Sequence, residues 1–223
     1  MKKLVFLSLL LIPVLLFAAV TEADAAILFD GTDTPAAGET TPEATPVPEE
    51  DVKYVDLDHQ HFYVNGTEFV LGKTTLQDMI DAGVPFDKVD LEDANNNLRK
   101  NSRSLSFGIP FSQYWSAYLY VMNDTNAGKR VNECYISEIN YYVSDEGQAQ
   151  DILRFDFPFD LTIDQLKENA GEPDDENHSE STYGIYDTLT YKRASKRYFV
   201  ADTRYQFEFK NGSLVSFKMI YTP

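Results

Sequence analysis

A helix-terminating phrase that occurs twice constrains this chain more than any other feature. Ala82-Gly83-Val84-Pro85-Phe86-Asp87 returns as Ala170-Gly171-Glu172-Pro173-Asp174-Asp175, 88 positions later. Glycine after a helical pattern takes the left-handed conformation that ends it, and a proline two residues on prevents continuation. A short amphipathic segment opened by threonine precedes each phrase. Thr74 or Thr75 stands before Leu76, Met79 and Ile80 at helical spacing. Thr162, with Gln165 completing a capping box, stands before Ile163, Leu166 and Ala170. Matching the apolar stripes pairs Thr75 with Thr162 at an offset of 87, so one helix is expected to be a residue longer than the other.

Strand-like sequence follows each segment, at 104–109, 114–123 and 134–143, then at 183–192, 197–210 and 214–221. Asn65-Gly66 and Asn211-Gly212 each lie between apolar runs and mark tight hairpins, because both residue types tolerate positive φ. The pattern predicts an α+β fold of two tandem helix-plus-antiparallel-meander repeats, 52–150 and 151–223, with the helices on one face of the sheet.

Lys2 and Lys3, the apolar run 4–20 and the small residues around Asp24 predict a secretory signal peptide over 1–25. The run of 17 residues is shorter than the roughly 20 that a bilayer span needs. The competing reading is an uncleaved anchor. Residues 26–51 are rich in proline, threonine and glutamate; four of the ten prolines fall in 31–50, with no aromatic residue. Such a segment buries too little apolar surface to order itself and is expected to be a stiff linker. The expected location is outside a bacterial cell or in its envelope. Cys134 is the single cysteine, so no internal disulfide can form and no thiol stands near the signal to carry lipid. About 170 remaining residues can bury a sufficient core unaided.

The net charge is −17, and Lys2 with Lys3 cancel Glu22 with Asp24, so losing the signal leaves it unchanged. Phosphate backbones and anionic lipid repel such a chain. Nucleic acid is therefore a poor partner, and the expected partner is a neutral or basic protein. Alternation in 114–122 puts Trp115, Ala117, Leu119 and Val121 on one face and Tyr114, Ser116, Tyr118, Tyr120 and Met122 on the other. Tyrosine offers large rigid contact area with one polar tip. Tyr114, Tyr118, Tyr120 and Tyr142 are thus the candidate partner-binding residues, against the plainer reading that tyrosine is a good strand former. In the second half, Gln206, Glu208, Ser216 and Lys218 line the outward face.

No constellation points to catalysis, a resident metal or another cofactor. Gly-x-Ser-x-Gly and the phosphate-cradling glycine loop are missing from the sequence. His59 and His61 would share a strand face near Asp56 or Asp58, enough to hold zinc, but solvated polar residues at a strand entrance are the simpler reading. Residues 90–97 resemble a calcium loop in composition yet lack its central glycine and final glutamate. Residues 174–178 read as a solvated acidic turn.

Leu71-Gly72-Lys73-Thr74 with Gly83 and Pro85, and Thr162 with Gly171 and Pro173, make the chain from 60 to 223 resemble the tandem repeat of the β-lactamase-inhibitor-protein-like fold. It is also similar to the single-repeat outer-membrane assembly lipoproteins of the SmpA/OmlA type. The resemblance implies a concave sheet, backed by helices, that grips another protein. The paired cysteines of the inhibitor and the lipid-carrying cysteine of the lipoproteins are missing, so inhibition of β-lactamase is not implied. The expectation is an exported binding module without catalytic activity. The alternatives are a secreted metal-dependent hydrolase using Asp56, His59 and His61, or a structural envelope protein.

Overall fold

Both Asn-Gly pairs form their hairpins. In the computed structural model, which describes residues 52–104, 106–111, 116–143, 152–195 and 202–223, β1 (His61–Val64) turns into β2 (Thr67–Val70) through Asn65 and Gly66 at φ 50 and 79. β12 (Asp202–Lys210) turns into β13 (Ser213–Ile220) through Asn211 and Gly212 at φ 51 and 85. Positive φ at both central residues matches the turn to the twist of the flanking strands. The signal and linker expected over 1–51, together with Tyr114 and Trp115, lie outside the described residues.

The helix caps also form as the sequence dictates. α1 (Leu76–Asp81) opens on Thr75, whose hydroxyl accepts from the Asp78 N–H while the Asp78 carboxylate accepts from the Thr75 N–H. Gly83 follows its end at φ 77. α2 (Lys88–Asp93) comes next, then β3 (Asn97–Leu98), β4 (Ser102–Arg103), β5 (Phe107–Pro110), β6 (Ser116–Asn123), β7 (Lys129–Arg130) and β8 (Tyr135–Tyr142). After β9 (Leu153–Arg154), Thr162 and Gln165 make the second capping box, at the head of α3 (Ile163–Ala170), which stops at Gly171 with φ 82. β10 (Asp175–Ser181) and β11 (Gly184–Ala194) lead to the last hairpin.

The strands form an antiparallel sheet ordered β10-β11-β12-β13-β8-β6-β4, with β5 also on β6, a small sheet β2-β1-β9, and the pair β3-β7. β13 lies against β8, with Phe217 opposite Tyr141 and Met219 opposite Ile139. β9 adds to the first hairpin through Tyr63 opposite Arg154. Strands from both sides of 144–151 therefore share both sheets.

This corrects the expected α+β architecture. Strands hold 47% of the described residues and helices 15%, and no helical layer backs the sheet. The helices are too short for that task. α1 buries Leu76 and Met79, and α3 buries Leu166 alone. Extended chain supplies the cover instead. Phe155 stands edge-on to Phe217 at 4.2 Å, and Phe157 does the same to Phe217 at 4.9 Å and Phe207 at 5.0 Å. Phe159 stacks on Tyr141 at 4.9 Å, and Phe62 of β1 reaches Phe155. Phenylalanine at every second position of 155–159 suits an extended segment laid ring-down on a sheet, and Pro158 bars a helix there. Each buried ring contributes about 2–3 kcal/mol of transfer free energy. Residues 174–178 are likewise no turn: Asp174 precedes β10, whose seven side chains are all exposed.

Candidate functional site

The sheet's two faces differ sharply in chemistry. Ala117, Leu119, Val121, Ile139, Tyr141, Phe207, Phe217 and Met219 are buried in the core. The opposite face is fixed by register. One row across it runs Tyr118, Asn140, Lys218, Gln206, Thr190 and Asp175. A second runs Tyr120, Glu138, Ile220, Arg204 and Lys192. A third runs Tyr142, Ser216, Glu208, Thr188 and Asn177. Tyr118, Tyr120 and Tyr142 thus share one outward surface; Tyr118 is 38% exposed and Tyr142 51%.

A bulge shapes the tyrosine end. Val121 faces Ile136 while Tyr120 faces Glu138, so Ser137 is the extra residue, and its hydroxyl donates to the Tyr120 carbonyl at 3.1 Å. The bulge sets Glu138 on the outward face, where it is only 3% exposed. A buried carboxylate needs partners. Arg103 donates to it at 2.6 Å, and the Lys218 ammonium lies 4.0 Å away. The same guanidinium covers the Tyr120 ring at 3.6 Å. Tyr120 is therefore clamped between strand and cation, while Tyr118 and Tyr142 stand proud on either side of Asn140.

Beside them is a shallow depression of about 110 Å³ bounded by Asn140, Tyr142, Gln206, Glu208, Ser216 and Lys218. The Ser216 hydroxyl donates to Glu208 at 2.7 Å, and Lys210 lies 5.5 Å from the Tyr186 ring centre. None of the three rows contains a histidine or cysteine. The face offers rings, paired charges and hydrogen-bonding groups.

The histidines lie elsewhere. Asp56 accepts the backbone N–H groups of Asp58 and His59, and Asp58 is paired with Arg193. Both carboxylates expected beside His59 and His61 are thus engaged in other bonds. Glu68 and Asp156 take their place: Glu68 falls within ligand distance of both imidazoles, and Asp156 lies 2.9 Å from His61 Nε2. Glu68 had a readable signal. A two-residue turn at Asn65-Gly66 forces Tyr63 opposite Glu68, which puts Glu68 on the face of His61. Asp156 had none, because its position depends on β9 joining β1.

His178 of β10 sits opposite Asp187 of β11. The Asp187 carboxylate at 2.6 Å, then Glu180 at 3.4 Å, holds its imidazole above the usual histidine range. The calcium-like stretch begins within α2, and its Asp90 carboxylate accepts the Gly108 N–H at 2.6 Å, pinning β5. Cys134 is buried, and burial raises its thiol pKa. Comparison with protein families, curated proteins and solved structures finds no match.

Proposed function

We propose that the protein is an exported binding module whose outward sheet face, centred on Tyr118, Tyr120 and Tyr142, docks against another protein. The carrying observation is the register that puts three tyrosines on one surface, two of them substantially exposed, while the opposite surface is sealed by phenylalanines. Protein interfaces favour tyrosine because its ring gives contact area at little conformational cost. The Arg103 clamp orders one of the three rings before any partner arrives, which lowers the cost of binding. This keeps the mode of action implied by the inhibitor-like resemblance, a sheet that grips a protein, without the helical backing that resemblance also implies.

Export rests on the 1–25 signal pattern. Among the described residues, no helix is long and apolar enough to cross a membrane. The overall charge of −17 steers basic partners toward the molecule and does not repel neutral ones. At the contact itself, five cations (Arg103, Lys192, Arg204, Lys210 and Lys218) stand against four carboxylates (Glu138, Asp175, Asp202 and Glu208), which leaves the face near neutral, so shape and rings dominate there.

The test is capture from extracts of the producing cell's surface, followed by titration of the captured protein. Tyr118→Ala and Tyr120→Ala should each leave the melting temperature within a few degrees and weaken binding at least about tenfold, near 1.4 kcal/mol. Unchanged capture, or loss of folding in both variants, would show that the rings serve the sheet and not a partner.

A further inference from the structure

We propose that His59, His61 and Glu68, joined by Asp156, form a binding site for one divalent transition-metal ion, zinc by the chemistry of its ligands. One ring nitrogen from each histidine and one carboxylate oxygen of Glu68 lie within 4.8 Å of one another. The rings of His59 and His61 are 4.9 Å apart. Asp156 Oδ2 lies 2.9 Å from His61 Nε2. A tetrahedral ion with bonds of about 2.1 Å holds adjacent ligands roughly 3.4 Å apart, so this pair needs to open by only about half an ångström.

The surroundings prepare the ligands. His61 Nδ1 lies 3.0 Å from the His59 carbonyl oxygen, to which its N–H donates. With Nδ1 held there, Nε2 is the nitrogen turned toward Asp156, and an ion entering between them would displace the proton they share; the Nδ1 bond orients the ring as in metal-binding histidines. The Tyr63 ring stands edge-on to His61 at 5.5 Å and is itself covered by Arg154 at 3.9 Å, which walls one side. Glu68 is exposed on its hairpin, so its side chain can swing in to close the remaining distance. Two imidazoles with carboxylates suit zinc, whereas calcium and magnesium take oxygen ligands. A bound ion ties three stretches together: the segment before β1, the first hairpin, and the start of the phenylalanine cover. The site is on the small sheet and does not depend on the docking face.

The experiment is calorimetric titration of zinc chloride into the tag-free, chelator-stripped full chain. The expected result is one ion per chain with a Kd of about 1 µM or tighter, and no heat from calcium. His59→Ala and Glu68→Gln should each raise that Kd at least tenfold, and His178→Ala should leave it unchanged. Circular dichroism without metal shows whether each variant is folded, and Glu68→Gln alters only an exposed side chain. No heat at millimolar zinc would overturn the proposal. So would a Kd unmoved by His59→Ala and Glu68→Gln, which would place the ion among the surface carboxylates instead.

Discussion

Removing the Phe157 ring is the sharpest test of what covers the large sheet. Phe157 is 4% exposed, stacks on Phe155 at 5.4 Å and meets Phe207 and Phe217 edge-on at 5.0 and 4.9 Å. Transfer of the ring to the interior contributes about 2–3 kcal/mol. Each ring pair adds roughly 0.5–1.5 kcal/mol, though three pairs around one ring do not sum independently. Phe→Ala changes in packed cores cost about 3–5 kcal/mol, the cavity included. Three aromatic neighbours place Phe157→Ala near the middle, about 4 kcal/mol, a large share of the roughly 5–15 kcal/mol available to a domain. Phe157→Leu retains most of the volume and loses mainly the ring geometry, so about 1–2 kcal/mol is expected. Urea unfolding followed by far-ultraviolet circular dichroism measures both, with an unchanged m-value as the sign that only stability moved. Ile163→Ala on α3 is the control: its side chain is half-buried and should cost less than about 1.5 kcal/mol. If Phe157→Ala costs no more than Ile163→Ala, the extended segment is not the principal cover and the packing argument fails.

Gly72→Ala is expected to cost about 2 kcal/mol, read as a fall in the thermal midpoint. Gly72 sits at φ +77, and a Cβ there would lie 2.5 Å from the Tyr221 ring, so strain and collision act together. Pairing it with Tyr221→Ser should recover the collision component only. For His178, the NMR titration midpoint should lie above the usual 6.5, and Asp187→Asn should lower it. Because the folded pKa is above the unfolded one, this interaction stabilises fully below about pH 6.5 and fades as pH rises through the folded value. A His178 midpoint unmoved by Asp187→Asn would show that the carboxylate is not the cause.

The parts of the fold governed by local rules were legible. Asn65-Gly66 and Asn211-Gly212 set their turns, Thr162 and Gln165 formed their box, and the alternation around Tyr118 and Tyr120 assigned the faces of β6. What failed was inference from local helix signals to a helical layer. A cap says that a helix begins, not that it is long enough to shield anything. Phe155, Phe157 and Phe159 were readable as extended, but no neighbour in sequence says that they lie across Phe207, Tyr141 and Phe217. β10 carried no apolar alternation because both of its faces are wet, so Asp175 to His178 looked like a turn. The histidine cluster was half legible: hairpin register delivers Glu68, while Asp156 arrives from more than 90 positions beyond His61.

The meeting of β8 with β13 has a kinetic consequence. Tyr141 and Ile139 acquire their second neighbours, Phe217 and Met219, from β13, which is synthesised more than 70 residues later. A nascent chain stopped short of Ser213 would hold β8 with one edge unzipped, and the first hairpin likewise waits for Leu153 and Arg154 before it is flanked. Such long-range closure slows folding. On the export proposed above, that delay would keep the chain pliable during passage until β13 arrives to close β8.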